Sequence, residues 1–119
     1  MENNINENAK TMAFCNVFPE HNHNEINGLI NPKGNFVLVF LNDKEDDKMI
    51  RKRMDVIKRI AIEHKIKYID IDVSGENLLE KLITTIYLGD LVSYFLALEY
   101  ETDPTPVPLI EDFKKMLKD

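Results

Sequence analysis

The sequence predicts an α/β domain organised on a parallel sheet, on the strength of three stretches. Phe36-Val37-Leu38-Val39-Phe40-Leu41 is an unbroken apolar run bounded by turn residues. So short a run has the pattern of a strand buried on both faces of a parallel sheet. Ile69, Ile71 and Val73 alternate with Asp70 and Asp72, which predicts a second strand with one wetter face. Between them Ile50, Met54, Ile57 and Ala61 recur at one-turn spacing, the buried stripe of a crossover helix. Strand, helix, strand in that order makes the two strands parallel neighbours.

The bulk properties narrow the class. A chain of 119 residues is long enough for one real core and too short for two. Its net charge of −6 argues against nucleic acid or an anionic membrane as partner, since both require a basic face. Cys15 is alone, so no internal disulfide forms and a reducing, cytoplasmic setting is expected. The start, Met1-Glu2-Asn3-Asn4, has neither the basic nor the apolar region of a signal peptide. With four glycines, no Gly-rich phosphate loop is to be expected.

Taken in order, residues 2–12 are polar and predict a short helix ending near Lys10 to Met12. Ala13 to Phe18 is expected to be a partly buried connector. Pro19 to Gly28 then holds His21 and His23 interleaved with amides and flanked by Glu20 and Glu25. That many polar side chains in a row cannot all be buried and satisfied. The plain reading is a helix start, with Asn22 or Asn24 as N-cap and Ile26 as the first buried residue. The functional reading is proton transfer, for which histidine's near-neutral pKa is suited.

Residues 31–35, Asn-Pro-Lys-Gly-Asn, are a turn by composition. After the first strand, Asn42 with Glu45 resembles a capping box that would open the crossover helix. Lys52, Arg53, Lys58 and Arg59 on that helix predict a solvated outer face. Asp70 and Asp72 lack a third ligand at a sensible spacing, so no metal site is expected. Ser74 or Gly75 should begin the longest helix, from about Glu76 to Glu101. Its apolar band includes Leu82, Ile86, Leu91, Phe95 and Leu96, and is broader than one neighbour can cover. Gly89 and Asp90 interrupt the band, so a membrane span is not expected. The proline-rich stretch 103–108 stops that helix and starts the last. Ile110, Phe113 and Leu117 should form a buried stripe there, while Lys114, Lys115 and Lys118 complement the helix dipole.

Three segments carry a resemblance that composition does not. They are Glu7-Asn8-Ala9-Lys10, then Phe18-Pro19-Glu20 with Asn22-His23-Asn24-Glu25-Ile26, and finally Tyr87 to Tyr94 with Asp103-Pro104-Thr105-Pro106-Val107. In order and kind they resemble the bifunctional phosphoglucose/phosphomannose isomerases, sugar isomerase (SIS) domain proteins. The family's chain is far longer, so the resemblance implies the C-terminal part of its second SIS domain. The expected fold is thus a parallel-sheet, SIS-like α/β domain, incomplete at its N-terminal side and helical at its C-terminal end.

The resemblance also implies roles. Glu7, which by composition alone is a surface carboxylate, becomes the base that moves a proton between C1 and C2 of the sugar phosphate. His23 becomes the residue that opens the ring, reaching the active site of a neighbouring subunit, which implies a homodimer. Lys114 becomes the catalytic lysine, on the apolar-apolar-x-x-apolar-Lys spacing of Leu109 to Lys114, with Lys115 the other choice. Asn22 and Thr105 become substrate contacts, Thr105 being equally a plain N-cap. No cofactor is implied. In the family, Ser/Thr hydroxyls and an arginine from the first SIS domain and the start of the second hold the phosphate, and nothing in this chain resembles that part. The other reading is a non-catalytic, SIS-like module that binds a sugar phosphate or a partner chain.

Overall fold

The computed structural model describes residues 1–118. In chain order its elements are α1 (Glu2–Asn8), two short 3₁₀ turns (Glu20–Asn22 and Glu25–Ile30), β1 (Val37–Asn42), α2 (Lys48–Glu63), β2 (Lys67–Asp72), α3 (Leu78–Glu99) and α4 (Pro108–Met116). They fall into two units, Asn16–Lys81 and Met1–Cys15 with Leu82–Asp119.

In the Asn16–Lys81 unit, β1 and β2 pair in parallel, from Val37 opposite Lys67 to Asn42 opposite Asp72. The α2 stripe forms as its spacing predicts, with Met54, Ile57 and Ala61 buried. Met54 and Ile57 close on Phe40 of β1 to make the core, and Phe18, Ile26, Leu29, Leu38 and Tyr68 pack around it. Phe18 stacks on Phe40 at 6.5 Å, and Tyr68 meets Phe40 edge-on at 6.1 Å. Each large apolar side chain so buried contributes roughly 1.5–3 kcal/mol. The histidine segment is therefore anchored to the core by its apolar members on either side.

Three expectations for this unit are corrected. First, β1 is covered on one face only. Leu38 and Phe40 face the core, whereas Val37, Val39 and Leu41 are exposed. Second, Asp70 of β2 is exposed as expected, but it stands opposite Phe40 and takes an ion pair from Lys58 of α2 at 2.5 Å, so the polar face of the strand is the one next to α2. Ile69 is left 50 % exposed on the other side. Lys58 also lies over the Phe40 ring at 5.1 Å, so it belongs to the packing and not to the solvated basic face. Third, Asn42 is no helix cap. It ends β1 and donates to Asp70 at 2.9 Å, while Asp47 caps α2 by accepting from the Met49 N–H at 2.7 Å.

Gly75 starts the approach to α3 at φ 156°, and a Cβ there would come within 2.6 Å of the Lys81 nitrogen. That contact requires glycine. Lys81 in the first turn of α3 is buried, its ammonium 2.9 Å from both oxygens of Asp43 and 2.7 Å from Glu45. The ion pairs tie the start of α3 to the loop after β1.

In the other unit α1 lies on α3. The positions that α3 buries here are Gly89, Ser93 and Ala97, one turn apart and small, which lets a backbone come close. A Cβ on Gly89 would sit 3.0 Å from the Met1 Cα. Asn8 donates to the Ser93 hydroxyl at 2.8 Å, Ser93 in turn to the Asp90 carbonyl at 2.9 Å, and Asn4 donates to the Asp90 carboxylate. The apolar band itself is not covered. Leu82, Ile86 and Phe95 are all more than half exposed.

Further corrections follow. α1 ends at Asn8, short of Lys10, because Lys10 turns to φ 52°. The connector after it is mostly exposed, Phe14 and Val17 included. The α4 stripe of Ile110, Phe113 and Leu117 is exposed as well, although Pro108 opens the helix as expected. Finally, α3 is long and apolar enough to cross a membrane by length and composition alone, despite the interruption at Asp90. Its partners at Lys81, Asp90 and Ser93 are polar groups of this chain, a set that fits a helix packed in protein.

Candidate active site

Glu7 occupies the last turn of α1 and is exposed. Its helix is seated on α3 through Asn4 and Asn8, one turn apart, which bond Asp90 and Ser93. No hydrogen bond to the Glu7 carboxylate occurs among the described residues, which leaves both oxygens available as proton acceptors. Its backbone carbonyl is held instead, by the Lys10 ammonium at 2.5 Å. The same ammonium reaches the Pro104 carbonyl at 3.2 Å. Thr105 follows at once, its N–H donating to the Asp103 carboxylate at 2.9 Å. Lys10 thus brings the turns of Glu7 and Thr105 together.

Lys114 lies in the last turn of α4, exposed. Lys115 is committed to Asp112 within the same helix at 2.9 Å. Between the two, Lys114 is the ammonium with no ion pair among the described residues.

His23 and Asn22 belong to the Asn16–Lys81 unit. His23 closes the first 3₁₀ turn, its N–H donating to the Glu20 carbonyl at 2.8 Å, and its ring is exposed. Asn24 does stand at the N-cap of the second turn, but its side chain makes no capping bond. His21 differs from His23. Its ring lies 5.4 Å from that of Phe18, and its Nδ1 is shielded from solvent without a hydrogen-bond partner among the described residues. The Oδ1 of Asn22 is shielded and unpartnered too. An unmet buried acceptor costs about 1–3 kcal/mol, so the segment keeps hydrogen-bonding capacity that its own fold leaves unused.

The charged residues away from these positions serve the frame. Asp43 is held below the usual carboxylate range, chiefly by the Glu45 N–H and then by Lys81. Lys81 is raised by Glu45 and Asp43. Lys58 depresses Asp70 in the same way. The Cys15 thiol is pushed up by its hydrogen bond with Glu2, which disfavours the thiolate and with it a nucleophilic role. No group of three or more metal-binding side chains converges among the described residues.

Reading the sequence passed over Asn4, Asn8, Asp90, Ser93 and Lys10 as contributors to the site. The signal was present: two asparagines at helical spacing, and Asp90 and Ser93 among the apolar residues in the second half of the long helix.

Comparison with known proteins identifies the family. Residues 1–117 match the family described as bacterial phospho-glucose isomerase C-terminal SIS domain. Among curated relatives, the bifunctional phosphoglucose/phosphomannose isomerase of Caldicellulosiruptor bescii is 44% identical over 95% of this chain and 34% of its own length. Those of Aquifex aeolicus and Thermoplasma acidophilum are 36% and 34% identical, over 96% and 95% of this chain and 36% of their own lengths. The chain spans about a third of the length of these relatives. No solved structure matches it. With nearly its whole length covered by one family, the chain belongs to the C-terminal SIS domain family of the bacterial phosphoglucose isomerases.

Proposed function

We propose that this chain is the C-terminal part of the second SIS domain of an aldose–ketose isomerase, and that it carries the acid–base groups of that enzyme. The substrates are glucose 6-phosphate and mannose 6-phosphate, the product fructose 6-phosphate, and the setting the cytoplasm. His23 protonates the ring oxygen and opens the sugar. Glu7 takes the proton from C2, leaving an enediolate, and returns it to C1 from the same face. The Lys114 ammonium lowers the energy of the developing oxyanion. Asn22 and Thr105 contact substrate hydroxyls. The preceding part of the enzyme holds the phosphate, and a second subunit receives His23, so the working species is a homodimer.

The observation that carries this reading is Glu7: a carboxylate with no hydrogen bond among the described residues, on a helix seated through Asn4, Asn8 and Lys10. A surface carboxylate of no consequence needs no such seat. The names of the relatives supply the substrate class.

Glu7→Gln keeps the size of the side chain and removes the basic oxygen. In the complete isomerase it should abolish exchange of the substrate C2 proton with solvent while leaving sugar phosphate binding largely intact. Near-normal exchange in that variant would remove Glu7 from the mechanism. His23→Ala should impair turnover of ring-closed glucose 6-phosphate far more than that of an open-chain analogue.

A further inference from the structure

Lys10 is a residue the proposed mechanism does not use, and its geometry is unusual. It lies at φ 52°, a left-handed conformation in which a side chain crowds the backbone and glycine is the easy choice. Its ammonium nonetheless has two acceptors, the carbonyls of Glu7 at 2.5 Å and Pro104 at 3.2 Å. The first contact has a local explanation, since a basic residue commonly satisfies an orphan carbonyl at the end of a helix. The second does not. It reaches across 94 residues of sequence, to the turn that Asp103 shapes and from which α4 departs.

We infer that Lys10 is a positioning residue for catalysis: it clasps the last turn of α1, which carries Glu7, to the turn carrying Thr105 and leading into the helix of Lys114. A permanent cation suits this task because charge-assisted bonds to carbonyls are stronger than neutral ones. The left-handed backbone aims the side chain back over its own helix while leaving it reach for the second carbonyl. Proton transfer by Glu7 depends on the carboxylate standing at a set height over the C1–C2 bond, and an error of about 1 Å in such placement can cost on the order of 100-fold in rate. The inference rests on Glu7 being the base.

The test uses the complete isomerase, this chain together with its preceding part. Lys10→Gly removes the ammonium while giving the backbone a residue that takes positive φ without strain, so the variant should fold at least as stably as the parent. Its kcat should fall ~10–100-fold with KM little changed, and C2 proton exchange should fall in step. Lys10→Met should show the same loss, and Lys10→Arg should recover part of it. A Lys10→Gly enzyme with parental kcat would overturn the clasp, as would a loss in Lys10→Met that only tracks its unfolded fraction. Glu7→Gln separates the two ideas. If it leaves exchange intact, the base assignment itself fails; if it is inert while Lys10→Gly is fully active, the role of Lys10 alone fails.

Discussion

The helices α2 and α3 answer the same demand in different ways. α2 is amphipathic, and its one stripe meets the inner sheet face, so that Ile57 and Ala61 are fully buried. α3 is richer in large apolar residues and apolar nearly all round, yet the positions it buries in its own unit are Gly89, Ser93 and Ala97. Leu82, Ile83, Ile86 and Phe95 remain exposed. The contrast teaches that apolar content measures how much burial a helix needs and does not say whether this stretch of chain can provide it. The same holds for the outer face of β1 and β2, because parallel sheets are ordinarily covered on both faces. It holds again for α4.

The largest effect expected from this contrast is on stability. Ile57→Ala opens a cavity in a closed core and should cost about 2–5 kcal/mol. In the isolated chain Phe95→Ala should stay within about 0.5 kcal/mol, since a 61 % exposed ring has little burial to lose. Urea unfolding of both variants decides the matter, and equal losses would break the comparison. Joined to the preceding part of the enzyme, the Phe95 variant should move toward the Ile57 value.

A somewhat smaller effect is expected where α3 does pack. Gly89→Leu puts a side chain where the Met1 Cα leaves 3.0 Å for a Cβ, and overpacking of this kind costs about 1–3 kcal/mol. Because it lifts α1, it should also displace Glu7 and lower kcat. Unchanged activity in a stable Gly89→Leu enzyme would show that the seat of α1 does not position the base.

The smallest effects are electrostatic and set the pH window of the Asn16–Lys81 unit. Asp70 and Asp43 are depressed by their partners, so their contribution is complete above the ordinary carboxylate value of about 4. It is lost as pH falls through their lowered values. Lys81 is raised, so its contribution is complete below the ordinary value of about 10.4 and is lost as pH rises through the raised one. Melting temperature against pH should therefore show a plateau with a fall at each end. Lys81→Met should flatten the alkaline limb and leave the parts of the acid limb due to Asp70 and to the Glu45 N–H bond of Asp43. An alkaline limb that survives in Lys81→Met would refute the assignment.

The segments holding Glu7, His23 and Lys114 stood out through the resemblance to a family; local pattern was enough to locate the strands, the α2 stripe and the proline start of α4. These depend on spacing along the chain, and spacing is a property of the sequence. Only the fold could decide which partner each polar side chain takes. Asp70 lies on the wet side of its strand, and only the fold gives it Lys58 of α2 as a partner. His21 and His23 looked alike in sequence, and it is His21 that is shielded against Phe18. Asn42 and Glu45 looked like a helix cap and instead bond Asp70 and Lys81, while Lys10, given no role by the sequence, bonds the carbonyls of Glu7 and Pro104. A hydrogen bond or ion pair is won by whichever group arrives within about 3 Å, and arrival depends on how remote segments pack. Burial of α3 and α4 shows the same division: the need for it is written in their residues, and its fulfilment depends on surfaces these residues do not themselves supply.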